Sequence, residues 1–212
     1  MLYSKHMSTI KTFLFDIGGV LSHDGHETYL SHPLHGIALD LGLSEPELFS
    51  RTVAVFRKYA VMPTADEAMF WEEIGAALGT SFTPDTLSAV KSNVSNINQE
   101  TTAAFALLDS HNIKIGIISN STPFFYPVIS AILPFKDYVQ PELLYLSHVK
   151  GLLKSNGLFE LAAEKLDPST TFVLDDRLKN VLYARKLGFQ SEVYSMTTGA
   201  SLLELVDECI KR

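Results

Sequence analysis

Four short stretches of this chain carry groups able to do chemistry together. Asp16 closes the apolar run Phe13-Leu14-Phe15, and Gly18 and Gly19 follow almost at once. Ser119-Asn120-Ser121 ends the β-branched run Ile113-Lys114-Ile115-Gly116-Ile117-Ile118. Asp175-Asp176 ends Thr171-Phe172-Val173-Leu174, and Lys154 sits in the loop Gly151-Leu152-Leu153-Lys154-Ser155-Asn156. An aspartate handed from a buried strand to a tight glycine loop can be a covalent nucleophile, a metal ligand, or both. Gly18 and Gly19 let a ligand approach the main chain closely. Carboxylates, a hydroxyl and one ammonium around a single cleft suit a metal ion beside a phosphate or other anion. A hard cation such as Mg²⁺ takes oxygen ligands and keeps several waters. Asp16 and Asp176 are the candidate side-chain ligands, with the Gly18 carbonyl as a third. At an effective dielectric near 20, one positive charge about 4 Å from the anion contributes roughly 4 kcal/mol before desolvation. Lys154 and a metal together can therefore offset repulsion between a phosphate and the carboxylates.

The elements that must position these groups alternate. Beyond Asn98, helices at Gln99 to Ser110, from near Pro123, Gly157 to Leu166 and Val181 to Leu187 alternate with extended runs at Ile113 to Ile118, Leu143 to Val149, Thr171 to Leu174 and Ser191 to Tyr194. A closing helix opens at Ser201, with Glu204 in capping-box register. Such alternation predicts an α/β fold, a Rossmann-like parallel sheet with helices on both faces. In a sheet of this kind ligands bind outside the carboxyl ends of the strands, where Asp16, Ser119 and the Asp175-Asp176 pair converge.

From Leu43 to Asn96 the pattern is helical throughout. Ser44 with Glu47, and Thr64 with Glu67, have capping-box spacing; Thr83 before Pro84 reads as an N-cap, and Gly79 as a helix stop. This stretch reads as a helical unit set into the chain, with Phe56, Met69, Phe70 and Trp71 as its core. Residues 8–21 and 98–212 would form the α/β core and residues 22–97 the inserted unit. Arg51, Arg57 and Lys58 are either anion-facing or on a solvated helix face. The histidines of Ser22-His23-Asp24-Gly25-His26 and His32-Pro33-Leu34-His35 read as loop or pocket-rim residues. No cysteine accompanies them, and zinc prefers four ligands on a defined scaffold.

Composition narrows the partners. The chain has 212 residues, 46% hydrophobic and 19% charged, with a formal net charge of -7. That length can bury a substantial core. No run of Lys or Arg exceeds two, so a nucleic-acid backbone is not an expected partner. No apolar run approaches the roughly 18 residues of a membrane span, so no membrane partner is expected either. The single cysteine, Cys209, falls on the apolar stripe of the last helix and excludes a disulfide within the chain. This suits a reducing, cytoplasmic setting. Residues before Met7 read as a lead, with Met7-Ser8-Thr9 as the native start.

The four stretches, in this order, resemble the motifs of the haloacid dehalogenase-like (HAD) superfamily of hydrolases. The Asp16 loop is similar to the first motif, Ser119-Asn120 to the second, Lys154 to the third and Asp175-Asp176-Arg177-Leu178-Lys179-Asn180 to the fourth. The helical insert resembles that family's mobile cap. The resemblance implies that Asp16 attacks phosphorus to form an aspartyl-phosphate. It also implies that Ser119, Asn120 and Lys154 hold phosphoryl oxygens, that Asp176 binds Mg²⁺ with Asp175 in support, and that Asn180 orients the site through hydrogen bonds. The implied substrate is a small phosphorylated metabolite. Two positions depart from the pattern: Gly18 stands where the phosphatases usually carry a second aspartate as general acid and base, and Ser155 where proline is common. Losing a positioned general acid costs about 10²–10⁴-fold. The substrates expected are then those whose leaving group needs little protonation: sugar 1-phosphates, acyl phosphates and aryl phosphates. The Asp-x-Gly motif with Asp-Asp-Arg and Asn180 is similar to the branch that includes bacterial α-glucose-1-phosphate phosphatases. Two other functions are compatible with the pattern, a non-catalytic HAD-like binding or regulatory protein and a 2-haloacid dehalogenase. The second would need no acidic pair. Oligomeric state is not readable from the residues.

Overall fold

The computed structural model describes residues 10–23, 37–94 and 96–211. The expectations for Met7-Ser8-Thr9 and for His26, His32 and His35 fall outside these described residues. Among them, β1 (Thr12–Phe15), β2 (Lys114–Ser119), β3 (Val139–Leu146), β4 (Thr171–Asp175) and β5 (Gln190–Val193) form a single parallel sheet in the order β3-β2-β1-β4-β5. The α/β class expected from the alternation is the class observed. The chain runs outward from β1 through β2 to β3 and then crosses back to β4, so strand order reverses beside β1. That reversal opens a crevice at the carboxyl ends of the strands.

Strand periodicity divides the core in two. Phe13, Phe15, Ile115, Ile117, Phe172 and Leu174 enter one cluster, while Leu14, Ile118 and Val173 enter the other. Successive side chains point to opposite faces of a strand, so a strand buried on both faces reads as a continuous apolar run. The first face is covered by α4 (Thr101–Ser110), with Ala104, Phe105 and Leu108, and by α8 (Leu202–Lys211), with Leu202, Val206 and Cys209. The second is covered by Leu158, Phe159 and Ala162 of α6 (Leu158–Lys165) and Ala184 of α7 (Leu178–Lys186). Between β2 and β3 lies α5 (Tyr126–Ile132). No helix among the described residues is long and apolar enough to cross a membrane.

Gly116 is dictated by packing. A Cβ there would lie 2.6 Å from Leu143 Cβ and 2.7 Å from Leu14 Cδ2. The β2–β3 register shifts at this point, and Gln140 Oε1 accepts the Ile115 N–H at 2.7 Å, which satisfies a donor released by the irregularity.

Residues 37–94 are helical, with α1 (Glu45–Tyr59), α2 (Glu67–Leu78) and α3 (Pro84–Val94). The Ser44–Glu47 box forms, with Ser44 N donating to Glu47 Oε2 at 2.9 Å. The Thr64–Glu67 box does not: Asp66 is the N-cap, its carboxylate accepting from Ala68 N at 2.8 Å. Asp is a better cap than Thr, and Asp66, next to the first helical residue, reaches the free N–H. Phe70 and Trp71 are buried, but Met69 is 53% exposed and is no core residue. Position 69 lies about 100° around the helix from Phe70, off the face that carries Phe70 and Ile74. The expected extended run to Val149 also stops early, because Ser147–Lys150 forms a helical turn ending on Gly151.

The segments leading into and out of the helical stretch are tied to each other. Asn98 N donates to Leu21 O at 2.9 Å, His23 N donates to Asn96 O at 2.9 Å, and Asn98 Nδ2 bonds Val20 O at 3.1 Å. Both connections therefore leave the sheet at one point, directly after the Asp16 loop.

Candidate active site

Register places the first chemical groups. Phe15 pairs with Ile117 and Leu174, and Asp16 N donates to Leu174 O at 2.9 Å, so the Asp16 and Asp175 side chains emerge at neighbouring strand ends. Ser119 is the last residue of β2, and it lines the same cleft as Asp16. Lys154 arrives from the loop before α6. Its backbone N–H donates to Asn120 Oδ1 at 2.9 Å, so Asn120 fixes the loop that carries the ammonium.

The Lys154 side chain is 1% exposed and bridges two carboxylates, with Nζ 2.6 Å from Asp16 Oδ2 and 2.7 Å from Asp175 Oδ2. Asp175 is fully buried and further satisfied by Asn180 Nδ2, at 2.9 Å and 3.1 Å from its two oxygens, and by Arg177 N at 2.9 Å. Asp16 Oδ1 accepts from Ile17 N at 2.7 Å. Burial pushes the Asp16 carboxyl up to about 6; Lys154 pulls it down and Asp175 adds to the rise. Burial works against the Lys154 ammonium, yet Asp16 and Asp175 outweigh it and hold its pKa above the ordinary value.

Asp176 faces the other way, toward the glycine loop. Gly19 has φ +75°, and a Cβ on it would lie 2.5 Å from Asp176 Oδ2. The group approaching this main chain is thus an aspartate of the site. Asp16, Asp175 and Asp176 each offer a carboxylate oxygen within 4.8 Å of the others. The donors are all hard oxygens, which fits a cation such as Mg²⁺ and not a soft thiolate-seeking metal.

Gly19→Ala is expected to cost more than the same change at Gly79, which also has positive φ but open space around its Cβ. Both variants bear the left-handed backbone cost of about 1 kcal/mol; at Gly19 the clash should bring the total to about 2–3 kcal/mol. Urea unfolding of the two variants side by side measures the difference, and equal losses would refute it.

Asp16, Gly18, Ser119, Asn120, Lys154, Asp176 and Asn180 all line one cleft of about 190 Å³. The cleft has a second wall made of Phe49, Val53, Phe56 and Arg57 of α1, of which the sequence singled out Arg57 alone as a possible anion-facing residue. A signal was present, since 49, 53 and 56 are spaced i, i+4, i+7 in addition to the apolar positions facing the core. Arg177 joins the two walls, its guanidinium 5.9 Å from the Phe49 ring and 3.9 Å from Asp176 Oδ1. Of the three basic residues singled out on α1, Arg57 lines the cleft, Lys58 pairs with Glu73 at 2.5 Å, and Arg51 is exposed elsewhere. His23 is not among the cleft-lining residues, and its Nδ1 has no hydrogen-bond partner among the described residues.

No protein-family model matches this chain, and no curated protein does. Solved structures do match in fold. One is a HAD family enzyme from Bacteroides thetaiotaomicron, 19% identical with a TM-score of 0.69 over 93% of this chain and 98% of that one. The same enzyme in complex with magnesium and inorganic phosphate matches at 20% identity and TM-score 0.66, over 92% and 98% of the two chains. A predicted HAD-like family hydrolase from Porphyromonas gingivalis matches at 18% and 0.61, covering 97% of this chain and 100% of its own. An L-2-haloacid dehalogenase from Xanthobacter autotrophicus matches at 17% and 0.59, covering 94% and 87%. The chain therefore has the α/β fold of these HAD enzymes.

Proposed function

We propose that this chain is a Mg²⁺-dependent phosphomonoester hydrolase of the HAD type, acting on a small phosphorylated metabolite through an aspartyl-phosphate at Asp16. The observation that carries this reading is the charge of the buried cluster. Among the described residues, Asp16, Asp175 and Asp176 cluster around the buried ammonium of Lys154, with the Arg177 Nε 3.9 Å from Asp176 Oδ1. Such a cluster repels a phosphoryl group placed directly beside the carboxylates unless a cation joins it there. The fold's occurrence in an enzyme crystallised with magnesium and phosphate supports the same reading.

Asp16, Asp176 and the Gly18 carbonyl would hold the ion, which when bound neutralises carboxylate charge and polarises a phosphoryl oxygen. Asp175 has another task, because Asn180 and Arg177 N fix it against Lys154 and so aim the ammonium. Asp16 attacks phosphorus, the bond from phosphorus to the leaving oxygen breaks, and that oxygen takes the electron pair. Lys154, the Ser119 hydroxyl and main-chain donors of the loops hold the phosphoryl oxygens, and Asn120 keeps the Lys154 loop in place. Water then hydrolyses the acyl-phosphate and regenerates Asp16. Gly18 offers no proton to the leaving group, so that group must leave as a stable anion. In this reading residues 22–97 act as a cap over a core made of 8–21 and 98–212, with its hinge where residues 21–23 and 96–98 are hydrogen-bonded together. The setting consistent with a lone buried Cys209 is the cytoplasm.

Purified protein with Mg²⁺ is expected to release inorganic phosphate from acetyl phosphate or an aryl phosphate and to stop when EDTA is added. Metal-independent chloride release from a 2-chloroacid would replace this reading with the dehalogenase that shares the fold. A folded, Mg²⁺-binding protein silent on a broad phosphate panel would instead make it a binding protein.

A further inference from the structure

Helix α1 has two working faces. Leu48, Thr52, Val55 and Tyr59 recur at i, i+4, i+7 and i+11 and turn toward the protein core. Phe49, Val53 and Phe56 recur about 100° around the helix and line the cleft opposite Asp16 and Lys154. None of these three side chains has a hydrogen-bonding atom. Arg57 stands one position further round, and Lys179 lies on the opposite wall; both are exposed, and neither is ion-paired among the described residues.

This wall discriminates among the leaving groups that Gly18 permits. A sugar would set hydroxyls against Phe49, Val53 and Phe56, and a hydroxyl removed from water without a partner costs free energy. An aromatic ring would instead lose apolar surface to water's exclusion and stack on phenyl rings. Its chemistry also suits the missing acid. Among the described residues that line the cleft there is no His, Glu, Cys or Tyr to protonate a strongly basic alkoxide. A phenol ionises near pH 10, several units below a group of water-like basicity at about 15.7.

We infer that the substrate is an aryl phosphate whose ring lies on Phe49, Val53 and Phe56 and carries a second anionic group facing Arg57 and Lys179. This rests on the phosphatase reading above. In the step itself Asp16 oxygen bonds to phosphorus, the bond from phosphorus to the aryl oxygen breaks, and the phenolate keeps the electron pair and takes its proton from water.

The test compares kcat/KM with Mg²⁺ for acetyl phosphate, phenyl phosphate, 4-carboxyphenyl phosphate, glucose 1-phosphate and glucose 6-phosphate. Phenyl phosphate should exceed both sugars by about tenfold or more, the range one apolar contact can supply. The carboxylated ring should exceed phenyl phosphate about fivefold at low salt, a gain lost in Arg57→Gln combined with Lys179→Gln. Phe56→Ala should lower the ratio of phenyl to acetyl phosphate turnover about tenfold; a ratio within one preparation is insensitive to how much protein folds. Turnover of acetyl phosphate with glucose 1-phosphate equal to or better than phenyl phosphate overturns this inference and leaves the phosphatase reading standing. A carboxylate gain that survives the double substitution overturns the anionic-group assignment. No phosphate from any of the five, acetyl phosphate included, overturns both.

Discussion

Asp16→Asn is expected to abolish phosphate release while leaving the protein as stable as before, or more so, at neutral pH. The loss of activity follows from removing the proposed nucleophile, which in comparable covalent mechanisms costs about 10⁴–10⁶-fold. The stability gain follows from the charges. Asp16 and Asp175 share one ammonium in a largely buried site, so one carboxylate is in excess and Asp16 is the group whose pKa burial raises, to about 6 from a reference value of 3.8. The folded form therefore binds the Asp16 proton more tightly than the unfolded chain does. Stability contributed by this group is greatest below about pH 4, falls as pH rises toward 6, and is level above that. An amide leaves Lys154 and Asp175 as a neutral pair and removes the fall, which is on the order of 1–3 kcal/mol in metal-free protein. Thermal melts in EDTA between pH 4 and 7 should show the wild-type decline and a flatter curve for Asp16→Asn. A variant that melts well below wild type at pH 7 would contradict this balance of charges. Residual turnover within tenfold of wild type would remove Asp16 from its role.

Lys154→Met is expected to have the largest effect on stability. It deletes the one ammonium between Asp16 and Asp175 and leaves both carboxylates buried, with a third within 4.8 Å. Breaking a buried pair by removing one partner costs about 3–5 kcal/mol, because the remaining charge stays out of water. For a domain of this size that is a fall in Tm of about 10 °C. Adding Asp175→Asn should recover part of the loss, since the second change removes the charge that the first left unpaired. Mg²⁺ should raise the Tm of Lys154→Met more than that of wild type, because the ion then replaces the positive charge lost from between the carboxylates. Purely additive losses in the double variant would show that Lys154 acts by filling space.

Much of the architecture could be read from the chain, and for local reasons. Buried parallel strands need apolar residues on both faces, so Phe13 to Phe15, Ile115 to Ile118 and Phe172 to Leu174 stand out with no knowledge of their neighbours. Helix ends are written in single residues, as at Ser44 with Glu47 and at Gly79. The sites of error were also local: Asp66 outcompeted Thr64 as a cap, and Ser147 opened a helical turn inside an apparent strand.

What residue order determined by itself is that Asp16, Ser119, Lys154 and Asp175-Asp176 each follow or flank a strand, and so reach one edge of a parallel sheet. Only the tertiary structure decided how the adjacent aspartates divide. Asp175 turns to Lys154 and Asn180, and Asp176 turns to Gly19, whose missing side chain makes room for it. It also decided that one further face of α1 looks into the cleft. Neighbouring residues on a strand end differ in direction by half a turn, and a helix with apolar groups on two faces does not say which face meets what. Those choices rest on contacts between segments far apart in sequence, such as Phe49 with Arg177, where local propensity carries no information.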